Sequence, residues 1–394
     1  MNLTKNLLED SISDSTQDTT LAHQNTSLTQ DTVRVAIIGA GGIAYKFHLP
    51  ELTRIPGVTV THLAGRKETR LKTLCERFSV PHWTTDPHAL FTNPDIDAIV
   101  VATPHPLHVS FGIEALRAGK HLLMQKPLCA DMSEADRFLA GVEKTEKTVM
   151  CLPHLGAEIY AIKREAEAGH IGKISAAHCR VSHGGPEVYY AEILDAFGEG
   201  EGENSGEALW FFKSGEAAVG ALFDMGVYAA SVLVSTMGRV KSVMGMVSTH
   251  DKPTELEDTA TLLLEFASGA IGTLETGWCD PAKTYCLRLH GTTGKLCAPG
   301  EAGASATRWE PGSYTREDTP SLPHPLDATA DSRGSAHEHW IRCIRERRQP
   351  ELSNARLAHH VTQVLLAGLE SANTGRRIEL SSSYLTGFVE NDTK

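Results

Sequence analysis

The run Gly39-Ala40-Gly41-Gly42-Ile43-Ala44 follows an apolar, β-branched stretch and precedes a stretch with helical spacing. It fits G-x-G-x-x-G/A, with Ala44 in the last place. In that pattern glycines permit a tight turn and close approach of a pyrophosphate, whose charge rests on amides at a helix N-terminus. Gly39, Gly41, Gly42 and Ile43 are therefore candidates for a dinucleotide cradle. The competing reading is a glycine turn that only packs strand on helix. A second strand that holds a ribose 2′-hydroxyl ends in Asp or Glu. Here the corresponding tip reads Ala64-Gly65-Arg66-Lys67, and the first carboxylate is Glu68. A small residue followed by two cations leaves room for a 2′-phosphate and supplies charge-assisted donors. Arg66 and Lys67 thus favour NADP(H), with NAD(H) as the alternative; their bland role is a solvated helix start.

Other chemistries leave no signature. HExxH, CxxC, G-x-S-x-G and the Walker loop are all absent from the sequence. The 19 histidines fall in no metal-ligand spacing, so no metal is expected. His337-Glu338-His339 and His359-His360 lie on terminal amphipathic segments and are expected to be solvated.

The elements that position these residues follow from periodicity. Apolar runs at 33–42, ending in glycines, 58–64, 98–103 and 121–126 alternate with helical spacing at 70–78 and 108–119. Such alternation implies βαβ units and a doubly wound parallel sheet, ending near Cys151. The second half differs. Runs at 173–183, 241–250, 259–267, 270–278 and 284–291 follow one another with short glycine turns, which favours a mainly antiparallel sheet. Segments 192–207 and 299–325 read as loops, and 335–347 and 355–372 as helices. The fold class is α/β, in two domains spanning 32–151 and 152–380. Residues 1–31 and 381–394 are expected to be tails, the first disordered because it is polar and poor in large apolar groups.

The chain has 394 residues and a formal net charge of −12, from 37 Lys and Arg against 49 Asp and Glu. That sign disfavours nucleic acid and anionic membrane surfaces as partners. No window is long and apolar enough for a membrane span, and the N-terminal segment carries no apolar signal core. The 8 cysteines form no framework, which points to reduced thiols and a cytoplasmic protein.

With the glycine loop and His48-Leu49-Pro50 after it, an ordered set of segments completes the pattern. They are Ala102-Thr103-Pro104 with His108, Ala118 to His121 leading to Gln125-Lys126-Pro127, Gly169 to Ile174, Gly220 to Tyr228, Phe266 to Trp278, and the helix around His337 to Arg345. In this order the chain, over about residues 32–380, resembles the glucose–fructose oxidoreductase / inositol dehydrogenase / rhizopine catabolism (Gfo/Idh/MocA) family, in its Tyr-containing subset. The resemblance implies a Rossmann domain followed by an α/β domain with a large open sheet. The final helices are expected to pack back on the first domain. The exposed sheet face is expected to be buried in a homodimer or homotetramer.

The resemblance also assigns roles. Lys126 matches the lysine of a Glu-Lys-Pro motif. Pro127 lacks an amide donor and should end the strand, so Lys126 reaches the carboxyl edge where ligands of such sheets bind. There it would hydrogen-bond the reacting hydroxyl and stabilise developing oxyanion charge. Gln125 stands where the motif has Glu, which puts the tuning of the lysine in question. Tyr228 occupies a position that many members fill with His. A phenol beside a lysine cation can pass a proton to the carbinol oxygen. Asp224, four residues earlier, would lie one helical turn from Tyr228 and orient substrate or relay. Thr103, Pro104, His108 and Gln125 are expected to contact cofactor, and His154, His183, Trp210 and Tyr228 to face substrate.

The reading is an NADP(H)-dependent oxidoreductase that moves hydride between nicotinamide and a carbinol or carbonyl of a sugar-like molecule. The alternatives are a redox-neutral nicotinamide-dependent glycosidase and a non-catalytic dinucleotide sensor.

Overall fold

The computed structural model describes residues 32–196, 209–217, 219–300, 303–313 and 320–381. Six strands form the first sheet: β1 (Val33–Ile38), β2 (Val58–Ala64), β3 (His82–Thr84), β4 (Ala98–Val101), β5 (His121–Met124) and β6 (Val149–Cys151). Their order is β3-β2-β1-β4-β5-β6, and every neighbouring pair is parallel. The apolar run in β1 has a physical reason. Val33, Val35 and Ile37 enter one core cluster, and Ala36 and Ile38 enter another on the opposite face. Both faces of β1 are covered, so no polar alternation is needed. The strand order reverses between β1 and β4. A crevice at their carboxyl ends is where open α/β sheets take ligands.

Nine strands form the second sheet: β7 (Ile174–Ser182), β8 (Val240–Ser248), β9 (Thr259–Phe266), β10 (Ile271–Gly277), β11 (Thr284–Gly291), β12 (Gly294–Ala298), β13 (Thr307–Glu310), β14 (Leu322–Pro325) and β15 (Ile378–Glu379). The order is β14-β13-β12-β11-β7-β10-β9-β8-β15. Among its pairings, β7 with β10 is parallel and the remaining ones are antiparallel. β9 alternates cleanly, with Leu262, Leu264 and Phe266 buried and Leu263 exposed. Its inner face joins the core beneath the helices Ala157–Glu167, Gly226–Met237 and Ala355–Thr374. Its outer face shows Met244, Met246, Leu263 and Ile271 to solvent.

The last helices return to the first domain. Trp340, Ile341 and Ile344 of the helix Ala336–Arg345 share a core cluster with Val35, Ile37 and Val100. Ser335 caps that helix: its hydroxyl accepts the Glu338 amide at 3.3 Å, while the Glu338 carboxylate accepts the Ser335 amide at 2.7 Å.

Three local expectations are corrected. The stretch 192–207 was expected to be loop throughout, yet the helix Pro186–Ala196 enters it; positions 197–208 lie outside the described residues. Within 299–325, β13 and β14 pair with each other and extend the sheet, because the partner strand, not local propensity, decides there. His337, His339, His359 and His360 are buried rather than solvated, since each terminal helix is covered on more than one side. The expected tails at 1–31 and 382–394 lie outside the described residues. No helix among the described residues is long and apolar enough to cross a membrane.

Candidate active site

Gly39 leaves β1 with φ +103°, and a Cβ there would sit 2.4 Å from the carbonyl carbon of Ala102, just past β4. Only glycine satisfies both the backbone angle and that approach. The amides of Gly39 and Ala40 donate to Ala64 O at 2.9 and 3.1 Å, which holds the turn to the end of β2. A Cβ on Gly41 would meet nothing within 4 Å, so the turn is open there. Helical backbone begins at Gly42 and takes π-helical form over Ala44–His48. Ala44 is fully buried, so the third small position of the motif serves packing. Arg66 and Lys67 are exposed at the exit of β2, next to the glycine loop. Glu68 is turned to Lys72 at 2.8 Å, one helical turn on.

Thr103 and Pro104 follow β4 on the other side of the crevice. The Thr103 hydroxyl oxygen is shielded from solvent and has no hydrogen-bond partner among the described residues. His108 spans the crevice floor: its Nδ1 lies 2.8 Å from Pro127 O and its Nε2 2.7 Å from Thr103 O. Burial, with a smaller contribution from Lys126, pushes its pKa down to about 4. Both ring nitrogens face backbone carbonyls, and the neutral ring, with one N–H, donates to one of them at a time.

Lys126 sits two residues past β5. Its Nζ donates to Asp224 Oδ1 at 2.6 Å and to Asp224 O at 2.7 Å. Asp224 also accepts Trp278 Nε1–H at 2.9 Å on Oδ2, and His183 Nε2 lies 3.7 Å from that oxygen. The pair is largely buried, with side chains 15% and 11% exposed. Burial opposes both charges. The Asp224 carboxylate nevertheless holds Lys126 above its ordinary value, and Lys126 and His183 hold Asp224 below the usual carboxylate range. Breaking such a pair by removing one partner costs about 3–5 kcal/mol.

Tyr228 lies in the helix Gly226–Met237, its ring centroid 5.2 Å from Lys126 Nζ. Asp224 ends the preceding turn, Ala221–Asp224, and is separated from that helix by Met225. The expected single helix carrying both is thus broken, and Asp224 serves Lys126 directly. His183 follows β7, and its Nδ1 accepts the Gly185 amide at 2.8 Å, so Nε2 carries the proton that faces Asp224. His154 stands apart from this cluster. Its Nε2 contacts Gly334 O at 3.2 Å, and burial pushes its pKa down to about 4. It lines a small pocket with Glu158, Tyr228 and Tyr285, so Tyr228 separates it from Lys126. Trp210 packs on Phe211 at 4.1 Å and faces His105 at 6.0 Å between ring centroids.

Two residues of the site escaped the sequence reading. Trp278 is fully buried and fixes Asp224; Tyr190 packs against Phe211 and interacts electrostatically with Lys126. The signal for Trp278 lies in the register. β7 and β10 run parallel with Ser182 opposite Gly277, so His183 and Trp278 leave the sheet side by side.

The comparisons agree with this architecture. Residues 33–152 match the GFO_IDH_MocA oxidoreductase family with an NAD-binding Rossmann fold, and residues 159–297 match the GFO/IDH/MocA C-terminal domain. The chain belongs to this family and is a nicotinamide-nucleotide-binding oxidoreductase. A dTDP-3,4-didehydro-2,6-dideoxy-alpha-D-glucose 3-reductase of Actinomadura kijaniata is 28% identical over 268 residues, covering 67% of this chain and 74% of that protein. A scyllo-inositol 2-dehydrogenase (NAD(+)) of Bacillus subtilis is 26% identical over 260 residues, covering 63% of this chain and 68% of that protein. A levoglucosan dehydrogenase solved with NADH and levoglucosan shares the fold, with a TM-score of 0.70 at 19% identity, over 89% of this chain and 99% of that one.

The residues present fit the dinucleotide. Gly41 leaves open space that a side chain would occupy, and the buried Thr103 hydroxyl, without a partner among the described residues, follows the neighbouring strand β4.

Proposed function

We propose that the protein is an NADP(H)-dependent oxidoreductase that interconverts a carbinol and a carbonyl on a sugar-like small molecule. The observation that carries the reading is the buried ammonium of Lys126, fixed by Asp224 beside Tyr228 at the carboxyl edge of the first sheet. The bound nicotinamide supplies or accepts the hydride. Lys126 has three N–H groups and spends two on Asp224. The third polarises the substrate oxygen and stabilises charge that develops there. Tyr228 delivers or removes the proton at the same oxygen. Asp224, held ionised by Lys126, Trp278 and His183, fixes the ammonium without taking its proton. Gly39, Gly41, Gly42 and Ile43 hold the pyrophosphate, while Thr103, Pro104 and Gln125 border the nicotinamide end. His108 acts through the backbone of Thr103. His183 and Trp210 wall the substrate side, and His154 lines a neighbouring pocket shared with Tyr228. That relatives are named for sugar and cyclitol substrates supports the substrate class.

Arg66 and Lys67 support NADP(H). Both are exposed beside the glycine loop, and the nearest carboxylate, Glu68, is engaged by Lys72. Titration with NADPH and NADH, followed by nicotinamide fluorescence, tests this. Tight NADPH with weak NADH binding is expected, and comparable affinities would overturn the preference. Cofactor that co-purifies and does not exchange would favour the redox-neutral glycosidase, and binding of neither would sink the oxidoreductase reading.

The outer sheet face supports a homo-oligomer. Met244, Met246, Leu263 and Ile271 are each about half exposed or more on three adjoining strands. Light scattering should give a dimer or larger, and a monomer at micromolar concentration would refute it. The 8 cysteines are thiols outside any disulfide, in keeping with a cytoplasmic, reducing compartment.

A further inference from the structure

The amide of Gln125 begins a hydrogen-bond chain that leaves the site and ends near the surface. Gln125 Oε1 accepts the backbone N–H of Lys126 at 2.9 Å. Its Nε2 therefore faces His48 Nε2, 3.3 Å away. An amide nitrogen only donates, so His48 Nε2 must be the acceptor and carry no proton. In the neutral ring the proton then sits on Nδ1, which donates to His337 Nε2 at 2.7 Å. By the same logic His337 holds its proton on Nδ1 and gives it to the carboxylate of Glu51. His48 is 1% exposed and His337 2%, whereas the Glu51 side chain is 34% exposed. Burial keeps His48 neutral, well below its ordinary value, with His337 adding to the effect. Burial opposes the charge on Glu51, but the His337 bond together with the smaller effects of His337, Ser335 and His154 holds its pKa below the ordinary value. Every link has one orientation: Gln125 to His48 to His337 to Glu51.

We propose that Gln125 is a positioning residue, and that this one-way chain, running through His48 and His337 to Glu51, lets the helix Ala336–Arg345 set the backbone from which Lys126 reaches Asp224. The chain ties three separate parts of the sequence to one peptide plane. The end of β5 supplies Gln125, the helix after the glycine loop supplies His48 and Glu51, and the returning C-terminal helix supplies His337. Glutamate cannot replace glutamine here. A carboxylate accepts on both oxygens, so Gln125→Glu demands a proton on His48 Nε2 and reverses or breaks the chain. Glutamine can replace His337, because it accepts and donates with the same polarity.

The role in positioning rests on Lys126 doing the chemistry, whereas the direction of the chain does not. Full-length protein labelled with ¹⁵N-histidine, read by two-bond ¹H–¹⁵N correlation, reports which ring nitrogens are protonated. His48 and His337, assigned with single His→Gln variants, should each be protonated at Nδ1 and bare at Nε2. Gln125→Glu should move the His48 proton to Nε2. A proton on His48 Nε2 in the unaltered protein, or an unchanged His48 signal in Gln125→Glu, would overturn the chain. Acylation of Lys126, followed by peptide mass spectrometry, tests the positioning without any substrate. His337→Ala should raise the labelling rate several-fold, and His337→Gln should leave it at the level of the unaltered protein. No change in His337→Ala, or an equal rise in both variants, removes the positioning role. A Lys126→Met variant that still turned over substrate would refute the catalytic reading while leaving the histidine protons where they are.

Discussion

Lys126 and Asp224 cannot be considered one at a time. Each is charged inside the protein because the other is there, and both lie at the carboxyl edge of the first sheet, where the proposed hydride transfer would take place. Lys126→Met should therefore have two separable consequences. Turnover is lost, since no other cation among the described contacts reaches Asp224 Oδ1, while NADPH binding survives because the glycine loop and Thr103 are untouched. Stability falls by about 3 kcal/mol, the lower end for a broken buried pair, because Trp278 and His183 still face the carboxylate. Fluorescence titration and thermal denaturation on the same preparation measure both. Lost NADPH binding would mean that Lys126 organises the cofactor crevice itself. The sign with pH follows. Asp224 is depressed in the folded state, so its contribution is present above the unfolded carboxylate range and fades as pH falls towards the folded value. Without Lys126 that depression is largely removed, so the stability gap between the variant and the unaltered protein should narrow as pH falls through the carboxylate range.

At the scale of elements, two glycines in one loop do different work. Gly39→Ala places a Cβ against the backbone of Ala102 and Thr103, at a φ of +103° that alanine tolerates poorly. A loss of at least about 1–3 kcal/mol is expected from the backbone angle alone. Gly41→Ala meets open space, so the fold should hold while NADPH affinity drops, because the methyl would occupy space proposed for the pyrophosphate. Equal melting of both variants, or unchanged NADPH binding in Gly41→Ala, would show that the loop is only a turn. This loop was legible in sequence because its chemistry is local: the glycines, the apolar strand before them and Lys126-Pro127 are contiguous signals. Trp278 and Tyr190 were not, because they meet Lys126 and Asp224 only once the second sheet is paired with β7 beside β10. β13 and β14 were hidden for the same reason, since the pairing of β13 with β12 and of β14 with β13 supplies what their Gly- and Pro-rich surroundings do not. Asp224 was placed in the right neighbourhood but on the wrong element: Met225 interrupts the helix, which turns the carboxylate towards Lys126.

At the scale of the whole molecule, the helix Ala336–Arg345 closes back over the first sheet, and histidines on it and on Ala355–Thr374 that amphipathic spacing alone had left in solvent are buried. Ala336–Arg345 lies against β1, and Ala355–Thr374 packs on the second core. His48, His108, His339 and His360 are all nearly inaccessible. Burial is the main cause that lowers each: His108 and His360 to about 4, His339 to about 3, and His48 well below its ordinary value. Once unfolded, each regains a pKa of about 6.5. Between that value and the folded one the unfolded chain binds more protons, so acid favours unfolding. Each histidine contributes up to about 1.4 kcal/mol per pH unit across that window. Four such groups acting together erode a fold of ordinary stability, about 5–15 kcal/mol, before most carboxylates have titrated. The melting temperature should accordingly fall steeply from about pH 6.5 downwards. Unfolding at mildly acidic pH should take up several protons, measurable by calorimetry in buffers of differing ionisation enthalpy. A melting temperature that stays level between about pH 7 and about pH 5 would mean that these rings gain protons inside the folded protein, against the cost of charging them there.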